Sequence, residues 1–224
     1  ELVLDPKTLE EHDFRSGQRA VIDPDVCTSC GICETVCRFD AIIPPSTSSH
    51  AEGQSSSGAY QVEGIACEGC AACFYQCPEE AIHMEEQLAG RWFRSESRFG
   101  TLFHAHLFAG QENSGKLVTL VKQHGRDLAS ETGAPLLLMD GPPGIGCPVI
   151  SATVGTDMAL LVVEPTVSGV HDLKRVLSTT EFFDVPALVV INKAELNVER
   201  SDEVAAFCVE RDVELLGRVP FDSV

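Results

Sequence analysis

Short apolar runs punctuate the second half of the chain. Leu136–Met139, Ala159–Val163, Ala187–Ile191 and Glu214–Leu216 read as buried strands, and Gly169–Phe183 and Ser201–Arg211 between them read as helices. Upstream, Leu102–Phe108 reads as a further strand and Ser114–Gln123 as a helix, with Gly125 placed to stop it. Strands that alternate with helices in this way imply an α/β fold, a parallel sheet covered by helices on both faces.

The first hundred residues follow a different rule. Cys27, Cys30, Cys33, Cys37 and Ala41-Ile42 return forty residues later as Cys67, Cys70, Cys73, Cys77 and Ala81-Ile82, and Asp40 returns as Glu80. Two copies of one half-module therefore lie head to tail. Between them Pro44–Gly58 is rich in Ser, Pro and Gly, a composition too polar to order itself, and reads as a mobile loop. The Leu2–Leu4 run before Asp5-Pro6 reads as the remnant of an earlier unit, and both ends of the chain look cut.

Composition narrows the class. The chain has 224 residues, 44% of them apolar, enough for one sizeable core and a smaller satellite. No apolar run approaches the roughly 20 residues of a membrane span, and no signal peptide is visible. Sixteen Lys and Arg against 34 Asp and Glu give a net charge of -18, with no basic patch, which argues against nucleic acid or anionic lipid as partner. The acidity serves solubility, or steers a basic redox partner. Eight of the ten cysteines fall in the two clusters, leaving Cys147 and Cys208 apart; this is metal spacing in a reducing compartment, and the expected location is the cytoplasm.

Each cluster reads CxxCxxCxxxC. At that spacing a tight loop sets three thiolates around one 4Fe-4S cluster while the fourth cysteine reaches the neighbouring one. The expected ligand sets are Cys27, Cys30, Cys33 and Cys77 for one cluster, and Cys67, Cys70, Cys73 and Cys37 for the other. Zinc is the alternative, but zinc modules separate two CxxC pairs by a dozen or more residues, and here the third cysteine comes too soon. Over roughly Val21–Glu86 these residues resemble the bacterial two-cluster ferredoxins. The second copy keeps the family's closing Cys77-Pro78, whereas Arg38 follows Cys37, and a cation there bears on the potential of one cluster.

In the α/β part, Asp140 opens Gly141-Pro142-Pro143-Gly144 after an apolar run. A carboxylate at the carboxyl end of a buried strand can hold Mg²⁺ beside a phosphate, and DGPPG equally fits a strand-ending turn. Asn192-Lys193-Ala194-Glu195 follows another run, with Glu195 where an Asp would read guanine. Gly110–Leu117, GQENSGKL, imitates a phosphate loop, yet Leu117 replaces the hydroxyl residue that binds Mg²⁺, which favours a capped helix start.

Taken together, Gln111–Val118, Asp140-GPPGIGCP, Glu164-PTVSGVHDLKRV and Asn192-Lys193 resemble the MinD/Mrp-type P-loop ATPases that carry an inserted ferredoxin module. The resemblance implies a partial doubly wound parallel sheet of P-loop NTPase type with an inserted α+β ferredoxin-like domain. Residues 1–19 would be a remnant of the N-terminal part of the α/β domain, 20–86 the insert and 87–224 the C-terminal part of the nucleotide-binding domain. It further implies that Asp140 is the Walker B carboxylate, that Gly141, Pro142, Pro143 and Gly144 sense the γ-phosphate, that Asn192 contacts adenine, that Lys193 belongs to the nucleotide-binding group, and that Glu164 lies near the nucleotide or a partner subunit. The family's Walker A loop finds no match in Glu1–Asp25.

Remaining residues read more simply. Cys147 and Cys208 are expected to be buried, Ser168 to cap a helix, and His104 and His106 to be surface residues on one strand face. The expected protein is an iron-sulfur, ATP-binding homodimer that couples nucleotide and Mg²⁺ to electron transfer or cluster delivery toward an acceptor protein. The alternatives are a ferredoxin-type carrier with an α/β docking scaffold, and an iron-sulfur assembly scaffold.

Overall fold

A computed structural model describes residues 4–45, 58–111 and 115–222. Most of the Ser/Pro/Gly-rich stretch and the middle of GQENSGKL lie outside the described residues. The rest groups into two compact units, one within Glu1–Gly100 and His104–Glu112, the other within Thr101–Phe103 and Asn113–Val224.

In the first unit, the two sequence copies clasp each other. Strand β1 (Lys7–Ile22) pairs antiparallel with the later β4 (Ile82–Ser97), so that Ile22, before the first cysteine run, meets Ile82, after the second. Helix α1 (Ile32–Val36) and strand β2 (Ile42–Ile43) belong to the first copy, β3 (Gln61–Val62) and α2 (Ala72–Gln76) to the second, and Ile42 pairs with Val62. Each copy thus closes its strand pair on the other. The cross-links repeat: Asp23 N donates to Ala81 O and Glu63 N to Ala41 O, both at 2.8 Å. Ala20, Ile42 and Ile82 are buried between the copies with Cys33 and Cys73.

Residues 7–19, expected to be a remnant of the α/β part, lie instead in this unit as most of β1. Their charged, mostly exposed side chains suit an edge strand, where Arg91 pairs with Glu11, Arg94 Nη1 lies 3.0 Å from Glu10 Oε1, and Trp92 stacks on His12. Strand β5 (Gly100–Leu107) lies on the other side of β4, completing a three-stranded sheet in the order β1-β4-β5. His104, expected at the surface, is half-buried, its Nε2 2.9 Å from Ser95 Oγ.

The second unit contains helix α3 (Lys116–Thr132), helix α4 (Cys147–Thr153), strand β6 (Ala159–Val163), helix α5 (Val167–Phe182), strand β7 (Ala187–Ile191), a 3-10 turn (Ala194–Leu196), helix α6 (Val198–Glu210) and strand β8 (Glu214–Arg218). Strands β6, β7 and β8 are parallel and adjacent in that order, each joined to the next by a helix. Val163, Val189 and Ile191 pack with Val170, Leu173, Val204 and Cys208 to form the core. The expectation of helices on both faces fails in part. On the other face Leu160, Val162 and Leu216 are 55%, 63% and 52% exposed.

Three further expectations change. Leu136–Met139 is not a strand: no described strand takes up its backbone groups, and Leu136 and Leu138 are 76% and 86% exposed. Gly125 does not stop α3, which continues to a left-handed cap at Gly133. A Cβ at Gly125 would stand 3.2 Å from Leu137 Cδ1, so this glycine serves a close approach. Thr166, not Ser168, caps α5, accepting from Gly169 N at 2.9 Å. Among the described residues no helix is long and apolar enough to cross a membrane.

Candidate metal centre

The local backbone around the two cysteine runs is nearly the same. Cys27 N donates to Asp23 O at 3.0 Å and Cys67 N to Glu63 O at 3.1 Å, anchoring the start of each run. The residue before each short helix is left-handed, Gly31 at φ 78° and Ala71 at φ 61°. That turn ends the loop and begins α1 or α2, which carries the third cysteine inward; Cys33 and Cys73 are each 8% exposed. Cys37 and Cys77 then leave the helices in extended conformation. The chain runs out of each helix toward the other copy.

The consequence is two separate hollows. The first is lined by Cys27, Cys30, Cys33 and Cys77, the second by Cys37, Cys67, Cys70 and Cys73. All eight are free thiols, with Cys30 and Cys70 exposed at the mouths. Around the first stand Ile22, Ile32, Ala81 and Ile82, and around the second Ala20, Ala41, Ile42 and Met84. Four soft thiolates around a largely apolar hollow are the donor set that iron-sulfur clusters require, so the residues fit the group. Burial pushes the Cys33 and Cys73 thiols up, with the neighbouring Cys27 and Cys30, or Cys67 and Cys70, adding to it. Binding iron as thiolates would therefore release protons from both.

Close approach fixes these loops. A Cβ at Gly69, where φ is +64°, would fall 2.1 Å from Gln18 O. In the first copy Ser29 occupies that place and its hydroxyl donates to Gly58 O. Sequence reasoning missed the residues flanking the runs. Tyr60 lines the first hollow and donates to Glu34 Oε2 at 2.9 Å, which raises the phenol pKa. Its place was available from the repeat, since Tyr60 is the counterpart of Ala20, which lines the second hollow.

The nucleotide candidates lie in the other unit. Glu164 follows β6 and Lys193 follows β7, and Lys193 Nζ stands 2.6 Å from Glu164 Oε1 across the carboxyl ends of the two strands. Asn192 N donates to Val163 O at 2.8 Å, and its Oδ1 accepts from Lys193 N at 3.0 Å. The structure therefore brings Glu164, Asn192 and Lys193 together. Asp140, Gly141 and Pro143 are exposed, and Pro142 and Gly144 half-buried, in a loop leading to α4. Among the described residues no hydrogen bond or ion pair joins that loop to the Glu164 group. Cys147 is exposed rather than buried, because it begins α4 beside Pro148 and faces outward; Cys208 is buried as expected.

Comparison with known proteins bears on the cysteine unit most directly. An uncharacterized protein of Methanocaldococcus jannaschii is 37% identical over 173 residues, covering 77% of this chain and 55% of that protein. A second uncharacterized protein of the same organism is 28% identical over 127 residues, 57% of this chain and 45% of that protein. The chain thus spans about half the length of these relatives. Over 82 residues, 29% of this chain and 4% of the other, it is 34% identical to pyruvate dehydrogenase [NADP(+)] of Cryptosporidium parvum. Residues 26–82 match the 4Fe-4S dicluster domain family, which supports a ferredoxin-like iron-sulfur part of the chain.

Proposed function

We propose that this protein carries electrons one at a time on two 4Fe-4S clusters, the first held by Cys27, Cys30, Cys33 and Cys77 and the second by Cys67, Cys70, Cys73 and Cys37. The observation that carries the reading is the pair of hollows, each lined by three thiols of one copy and one of the other. Exposed Cys30 and Cys70 leave each site an edge close to solvent, where a redox protein in a reducing compartment such as the cytoplasm can approach. Anaerobic purification with iron and sulfide analysis tests it: eight of each per chain are expected. A colourless preparation lacking both would sink the proposal.

A second reading adds a nucleotide. The ion pair of Glu164 and Lys193 at the carboxyl ends of adjacent parallel strands favours it, because ligands of open α/β sheets bind at those ends. On this reading, which also leans on the MinD/Mrp resemblance, Asp140 and Gly141–Gly144 would meet ATP and Mg²⁺, and a homodimer would couple hydrolysis to electron or cluster transfer. ATP binding and hydrolysis by the natural polypeptide with intact clusters tests it. An electron-transfer rate indifferent to nucleotide would leave the carrier alone standing.

A further inference from the structure

The two hollows share a backbone but not their charges. Aligning the copies at their forty-residue offset sets Tyr60 against Ala20, Glu34 against Phe74, Glu79 against Phe39 and Pro78 against Arg38. Tyr60 and Glu79 line the first hollow, and Glu34 is bound to the Tyr60 hydroxyl. Ala20 and Phe39 line the second, with Met84 beside them. One substitution runs the other way, Glu68 on the second hollow against Thr28 on the first. Two carboxylates therefore attend the first site against one at the second, and in the chain Arg38 directly follows Cys37, a thiol of the second.

Adding an electron makes a cluster more negative, so nearby anions oppose reduction and nearby cations assist it. We infer that the two sites differ in potential in a fixed sense: the Cys37, Cys67, Cys70 and Cys73 site is reduced first, and Glu34 and Glu79 hold the Cys27, Cys30, Cys33 and Cys77 site lower. With both clusters bound, a single electron from a one-electron donor would rest on the second site rather than the first. Glu34 and Glu79 act through their charge on the first site, and Phe39 leaves the matching place at the second uncharged.

The inference rests on the two-cluster reading, and the experiment separates the two. Iron and sulfide analysis of the full chain, reconstituted anaerobically, settles the clusters first; fewer than two would remove both ideas together. With eight irons bound, a dithionite titration followed by EPR is expected to show two resolved one-electron steps, assigned by the altered spectrum of Cys30→Ser. Glu34→Gln and, independently, Glu79→Gln should raise the lower step and leave the upper one in place. Phe39→Glu should lower the upper step alone and narrow the gap. Two clusters titrating as one step, or carboxylate variants that move the upper step, both steps equally or neither, would overturn the inference while leaving the carrier intact.

Discussion

Lys193 Nζ and Glu164 Oε1 stand 2.6 Å apart, bridging the ends of two adjacent parallel strands. The side chains are 36% and 45% exposed, so solvent screens the pair and its worth to the fold is at most about 1 kcal/mol. Lys193→Met should therefore shift stability by no more than that in urea unfolding. A loss of ATP affinity beyond this small change would mark the pair as part of a binding site.

The exchange of cysteines between copies makes a sharper prediction. Cys77→Ser should damage the same cluster as Cys30→Ser, although Cys77 lies in the other copy, and Cys37→Ser should pair with Cys70→Ser. EPR spectra sorted by variant check this. Spectra that group by sequence copy instead would show that each run keeps its own four thiols.

Lys122 is 8% exposed, and its Nζ donates to Ser151 O, Ala152 O and Val154 O at 3.1, 2.7 and 2.6 Å, closing the end of α4. Lys122→Met removes a charged donor from three carbonyls and should cost about 2–3 kcal/mol in urea unfolding. Burial, aided by the Arg126 charge, lowers the amine's pKa. The unfolded chain then holds this proton more tightly, so stability rises with pH once the folded amine begins to lose its charge, and the gain is complete above about 10.4. The Met variant should lack that slope.

Ala71 holds φ at 61°, where the other copy has Gly31. A left-handed alanine is strained by about 1–2 kcal/mol, partly offset by the entropy a glycine would add to the unfolded chain. Ala71→Gly should stabilise the protein by about 0.5–1 kcal/mol, read from its urea midpoint. Gly31→Ala should do the reverse more strongly, since its Cβ would come within 3.1 Å of the Tyr60 hydroxyl oxygen.

The two thiols outside the runs should differ in reactivity. Cys147 is exposed, while Cys208 is 2% exposed and burial pushes its thiol up. In cluster-loaded protein, iodoacetamide followed by mass analysis should label Cys147 in the native state and Cys208 only after unfolding.

These contrasts show what the sequence made legible. The repeat of Cys27–Ile42 as Cys67–Ile82 made the two cysteine groups readable because equal spacing folds each copy into the same loop and short helix. Ala159–Val163 and Ala187–Ile191 were readable because their β-branched runs pair with each other and bury Val163, Val189 and Ile191. Leu136–Met139 has the same apolar character but no described strand pairs with it, and a strand is a relationship between segments. Residues 7–19 hid for the converse reason: an edge strand is polar, and its partner β4 lies some seventy residues away. Gly125 misled because its reason is the nearby Leu137, which no local pattern reveals. Cys147 misled because thiols favour interiors in general, whereas its place at the start of α4 faces it outward.

The interlocking of Cys37 and Cys77 makes the half-module an incomplete machine. A single copy retains three sulfurs around its own hollow and offers its fourth to a neighbour that is not there. Duplication is thus the smallest step at which either ring of four thiols closes, and loss of Cys37 or Cys77 takes a thiol from the hollow of the copy across from it rather than from its own.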